Sequence, residues 1–158
     1  MVNGAAAGLG LGIALACDFR FVTKSSRMTA GFVNIGLPGD TSILYSLQMM
    51  IGTAKTMEWM MTGDILDGEQ AYNLGAASHL VPEGQLESAT MEFAKMIASK
   101  PLLAMRCQKK LMYETFWDKV DIYNDHESDY MTVCSQSQDF REAVDAFLEK
   151  RKPTFTGK

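Results

Sequence analysis

The chain has 158 residues, 47% of them hydrophobic and 22% charged, the mix of an ordinary globular domain with room for one core. A formal net charge of -4, with one dense basic run at Lys150, Arg151 and Lys152, offers no footprint for a nucleic-acid backbone. Glycine or charge interrupts every apolar stretch before the about 20 residues of a membrane-spanning helix, and the apolar opening Met1 to Cys17 lacks the basic start of a signal peptide.

In chain order, Gly8, Gly10 and Gly12 alternate with Leu9, Leu11 and Ile13 before Ala14-Leu15-Ala16-Cys17, which predicts a glycine-rich turn opening an apolar helix. Phe19 to Thr23 alternates like a strand, Lys24 to Ser26 is a turn, and Arg27 to Ala30 is a second short extended piece. The loop Asn34 to Gly39 has turn punctuation, and Asp40-Thr41-Ser42 before Ile43 predicts a capped helix closed by Gly52. Thr53 starts the next helix, running to Gly63. Asp67 with Gln70 three residues later is a capping box opening a short helix that ends at Gly75, and Ala77 to Val81 is the last strand. From Gln85 the pattern is helical: Leu86, Ala89, Phe93, Met96 and Ile97 share a face up to Pro101, followed by helices over 102–117 and 120–134. Asp139 caps a final helix through Phe147 and Leu148, ended by Pro153. The expected fold class is α/β, with an α/β part over residues 1–84 and a helical region over 85–158.

Cys17, Cys107 and Cys134 are odd in number and widely spaced, which fits free thiols in a reducing, cytoplasmic setting. His79 and His126 have no partner at ligand spacing, so no metal site is expected. The methionines Met49, Met50, Met57, Met60 and Met61 read as core filler.

Four blocks in series carry a resemblance: VNGAAAGLGLGIALACDFRFVT (Val2 to Thr23), IGLPGDTS (Ile35 to Ser42), TGDILDGEQAYNLGAASHLVP (Thr62 to Pro82) and AFLEKRKPTF (Ala146 to Phe155). Together they resemble the crotonase (enoyl-CoA hydratase/isomerase) superfamily across nearly the whole chain. The resemblance implies a partial ββα spiral followed by a helical C-terminal trimerisation region. It also implies an acyl-CoA thioester as substrate, a homotrimer or hexamer, and no cofactor beyond the coenzyme A that the substrate carries. The shared chemistry, stabilisation of a thioester enolate, requires N–H donors aimed at the thioester oxygen. By the resemblance one donor is the N–H of Leu9, with Gly8 allowing close approach, and the second donor is expected from a segment preceding this sequence.

The two glutamates that serve as acid and base in hydratases of the family fall on Gly12 and Phe32, neither of which transfers protons. Asp40 matches a loop aspartate of the isomerases and of 4-chlorobenzoyl-CoA dehalogenase. The expected activity is double-bond isomerisation of an enoyl- or dienoyl-CoA with Asp40 as base, in a pocket formed by Gly8, Gly12, Phe32 and Leu37. The alternatives are dehalogenase-like hydrolysis with Asp40 as nucleophile, and a non-catalytic or truncated family member. A poorly solvated aromatic wall at Phe32 would raise the basicity of Asp40, whereas a helix N-cap is the plain structural role for that residue. By the resemblance, Phe147 and Lys150 match tail residues that contact CoA from a neighbouring subunit, and they also read as a solvated helix end. Asp18 reads as a buried structural carboxylate.

Overall fold

The structure, a computed structural model, describes residues 1–116 and 119–158. Strand β1 (Ala5–Ala7) leads through Gly8 into helix α1 (Leu9–Ala16), which is followed by β2 (Phe21–Val22) and β3 (Arg27–Thr29). Helices α2 (Ile43–Ile51) and α3 (Thr53–Thr62), strand β4 (Leu66–Asp67), helix α4 (Gly68–Leu74) and strand β5 (His79–Leu80) complete the α/β part. β3 is the middle strand of one sheet, parallel to β1 with Ala6 opposite Met28 and antiparallel to β4 with Met28 opposite Leu66. β2 and β5 form a second, parallel pair with Phe21 opposite His79.

The core lies between these sheets and α1, α2 and α3, where Leu11, Leu15, Val22, Met28, Ile43 and Leu47 are fully buried. Each completely buried side chain of this size contributes about 1.5–3 kcal/mol, which is what fixes α1 against the strands despite its glycines. Arg20 is also buried. Its guanidinium donates to the carbonyls of Ala76 at 2.9 Å and Leu15 at 3.2 Å, so it closes the C-terminal end of α1 and ties it to the α4–β5 connection. The expected strand Phe19 to Thr23 is shortened to Phe21–Val22: at Arg20 the backbone N–H donates to the Ser78 hydroxyl at 2.6 Å instead of to a strand carbonyl. The expectation for Asp18 was wrong: its carboxylate is exposed and pairs with Lys109 at 2.7 Å.

The capping box forms as the sequence predicts, with Gln70 N–H donating to Asp67 Oδ1 at 2.8 Å and Asp67 N–H donating to Gln70 Oε1 at 2.9 Å. Gly75, at φ 93°, ends α4 in the left-handed region.

The helical region comprises α5 (Leu86–Ala98), α6 (Leu102–Phe116), α7 (Val120–Ser135) and α8 (Gln138–Leu148). The expected end of α6 at Trp117 lies outside the described residues. Phe93 joins α5 to the second sheet through ring contacts with Phe19 and His79 at 4.8 Å and with Phe21 at 5.3 Å. Asp139 is not the cap of α8. Ser137 is: its hydroxyl accepts from Phe140 N–H at 3.0 Å, while the Asp139 carboxylate accepts from the N–H groups of Thr156 at 2.7 Å and Gly157 at 2.8 Å. The tail therefore folds back on α8, and Glu142 adds a two-pronged pair to Arg151. Among the described residues no helix is long and apolar enough to cross a membrane, and no group of three His, Cys, Asp or Glu side chains is arranged to hold a metal ion.

Candidate active site

The β1–α1 turn is built on Gly8, whose φ of 51° suits a residue without Cβ and whose N–H donates to Thr29 O at 3.1 Å. The first intrahelical bond of α1 runs from Gly12 N–H to Gly8 O at 3.1 Å. The N–H of Leu9 precedes it, so helix geometry leaves that donor without an intrahelical acceptor at the positive end of the dipole. The Leu9 side chain is 58% exposed.

Two neighbours close on this turn. The Phe32 ring, at the start of a tight 3-10 turn (Phe32–Ile35), comes within 3.7 Å of where a Cβ at Gly8 would stand. Thr41 occupies the space beside Gly12: a Cβ there would lie 2.8 Å from Thr41 Cβ and closer still to its hydroxyl. The space a side chain at Gly12 would take is thus filled by one from the opposite loop. Leu37, half-buried, donates its N–H to Phe32 O at 3.0 Å and holds the loop's first turn closed.

The loop from Gly36 to Ser42 is gripped at both ends. At Gly36, φ 70°, the backbone of α8 comes so near that a Cβ would meet Phe140 N at 3.1 Å. At the other end Thr41 and Ser42 take φ values of 57° and 54°, a left-handed pair without glycine that costs about 1–3 kcal/mol per residue. Two bonds from α7 offset that strain: Ser42 N–H donates to Glu127 Oε2 at 2.9 Å, and the Ser42 hydroxyl bonds to Asn124 Oδ1. Glu127 is buried and its Oε1 has no hydrogen-bond partner. Burial pushes its carboxyl above the ordinary value, the Ser42 N–H opposes the rise, and the charge of Asp40 adds to it.

Ser42 stands at the N-cap of α2 without a side-chain capping bond, and the Asp40 carboxylate does not cap either. Among the described residues Asp40 Oδ1 accepts only the neighbouring Thr41 N–H at 2.6 Å and is otherwise exposed. Asp40 lines a hollow of about 510 Å³ with Thr41, Ser42, Asn124, Glu127, Ser128 and Met131. The expected dry aromatic wall is therefore corrected: Phe32 lies against Gly8, whereas Asp40 faces polar groups of α7. Thr41 links the two halves, touching Gly12 on one side and Asp40 on the other. Phe147 and Lys150 are brought to neither half; both are exposed at the C-terminal end of α8. Sequence reasoning missed Glu127 and Asn124. Their spacing of three residues on one helix face was the available signal, but nothing in it points to Ser42.

A strand, glycine turn and apolar helix packed on small sheets, followed by a helical region, make up the crotonase-type fold. The structure of an enoyl-CoA hydratase/isomerase from Pseudoalteromonas atlantica superposes with a TM-score of 0.90 at 29% identity, covering 98% of this chain and 62% of that one. The sequence model of the enoyl-CoA hydratase/isomerase family matches residues 1–158, and the chain belongs to that family. Among curated relatives, the 1,2-epoxyphenylacetyl-CoA isomerase of Escherichia coli is 32% identical over 99% of this chain and 60% of its own length. The 4-chlorobenzoyl coenzyme A dehalogenase-1 of Arthrobacter sp. is 27% identical over 94% and 54%. The chain thus spans about 60% of the length of the first of these relatives.

Proposed function

We propose that the protein acts on an acyl-CoA thioester, moving a double bond through an enolate held by the Leu9 N–H, with Asp40 carrying the proton. The observation that carries this reading is the uncapping role of the loop: Asp40 is spared from helix capping and left exposed, while Thr41 fills the space beside Gly12. The resemblance puts the hydratase glutamates at Gly12 and Phe32, neither of which transfers a proton, and this supports a reading that uses the one carboxylate of the loop. For a 3-enoyl-CoA, Asp40 takes the proton from C2, the electron pair passes to the thioester oxygen, and the Leu9 N–H stabilises that oxyanion. Return of the same proton to C4 leaves the double bond between C2 and C3. Phe32 and Gly8 would line the acyl side of this site and Leu37 its loop side, with Phe147 and Lys150 reaching the CoA path from a neighbouring copy of the chain.

Asp40→Asn tests it, because Asn keeps the shape and removes the proton acceptor. Turnover of a short 3-enoyl-CoA should fall about a hundredfold with KM nearly unchanged. Full activity in a folded variant leaves the mechanism without a base. The second reading, aryl-CoA hydrolysis with Asp40 as nucleophile, is supported by the similarity to the Arthrobacter dehalogenase, and mass-spectrometric capture of an ester on Asp40 in a single turnover distinguishes it.

We further propose that copies of the chain associate as a trimer or dimer of trimers. In support, Leu102, Leu103, Ile122, Val133, Phe147 and Leu148 of the helical region are all exposed.

A further inference from the structure

We propose that Glu127, on α7, is the positioning residue for Asp40: its carboxyl holds the left-handed Thr41–Ser42 backbone in place and so fixes where the Asp40 carboxylate stands in the hollow. This rests on the reading of Asp40 given above. The two residues that follow Asp40 are both in a conformation that side chains other than glycine disfavour. No side-chain capping bond from α2 compensates them. What holds them is external: Ser42 N–H to Glu127 Oε2 at 2.9 Å and the Ser42 hydroxyl to Asn124. Without those bonds the backbone would relax toward the ordinary helical region, rotating the peptide that Asp40 Oδ1 bonds at 2.6 Å and carrying the carboxylate away.

Glu127 is buried, its Oε2 is engaged by the Ser42 N–H, and its other oxygen has no hydrogen-bond partner among the described residues. A carboxyl in such a place is costly to keep, and the Ser42 amide is the contact that accounts for it. Burial, and then the charge of Asp40, raise its affinity for a proton, and the Ser42 N–H opposes the rise.

The test compares Glu127→Gln, Glu127→Ala and Asn124→Ala, alone and with Asp40→Asn, on turnover of a short 3-enoyl-CoA, together with hydrogen exchange at the Ser42 amide. Glutamine keeps an acceptor for Ser42, so its kcat should stay within about threefold of wild type and the amide should stay protected. Alanine at 127 should lower kcat about thirtyfold or more, leave KM within about threefold, and expose the amide to exchange. Asn124→Ala, which removes the second bond only, should fall between and serves if Glu127→Ala does not fold. Because Glu127 acts through Asp40, Asp40→Asn with Glu127→Ala should be no slower than Asp40→Asn alone. Multiplying losses, a glutamine variant as slow as alanine, or an exposed Ser42 amide with unchanged kcat would each overturn the proposal. An active Asp40→Asn enzyme overturns the assignment of the base instead, and the exchange at Ser42 still reports whether the clamp exists.

Discussion

Gly12 and Thr41 are predicted to be energetically coupled, although they belong to different elements and carry no charge. A methyl group at position 12 would meet Thr41 Cβ at 2.8 Å, inside any real contact, and α1 is pinned from behind by buried Leu11 and Leu15. Overpacking of this kind costs about 1–3 kcal/mol. Ala in place of Gly within a helix returns about 1 kcal/mol, so Gly12→Ala should lose about 0–2 kcal/mol net. Thr41→Gly removes the colliding side chain and suits the φ of 57°, with a gain of about 1 kcal/mol that the looser unfolded chain largely cancels. In the double variant the collision is gone and the helix gain remains, giving a coupling of about 1–3 kcal/mol in favour of the pair. Urea unfolding of the four proteins measures it, and thermal scans should show about 2–4 °C for each kcal/mol in a domain of this size. Single effects that add within about 0.5 kcal/mol would refute the claim that Thr41 fills the space beside Gly12.

Leu9→Pro should fold, since proline is accepted at the first helical position, yet abolish turnover because its nitrogen carries no hydrogen; unaltered turnover would place the oxyanion donor elsewhere. Glu142 is held down to about 2 by Arg151 first and the Thr154 N–H second. A depressed carboxyl stabilises above its unfolded value near 4.5 and loses that contribution as pH falls toward about 2, so the tail should detach from α8 across that window, read as protease cleavage near Pro153. Light scattering at micromolar concentration should give a mass of three or six chains, and a monomer would count against the exposed helical faces as an interface.

The parts of the fold legible in the sequence are those written in residues a few positions apart. Asp67 and Gln70 announce a capping box because both bonds close within four residues, and the alternating glycines before Ala14 announce the turn and helix that follow. Where one side chain has two possible partners, spacing alone chose badly. Asp139 has the residue type of a cap but is taken by the tail, leaving the task to Ser137; Asp18 reads as buried, while neighbouring Arg20 is the residue drawn inside by helix-end carbonyls. At the site, it was the resemblance, not any local pattern, that placed the family's glutamate positions on Gly12 and Phe32. What fills the first of them, and what steadies the loop after Asp40, depended on contacts that no local pattern encodes.

The bond from Ser42 to Glu127 joins residues 85 apart, whereas β1 meets β3 across little more than twenty. Closing the longer loop costs more entropy, and its reward comes only when α7 exists. On a ribosome, the glycine turn would therefore be shaped first, while the Asp40 loop waits for α7 to emerge. The order of synthesis thus leaves the Asp40 loop without its α7 clamp for a time after the Gly8 turn has formed.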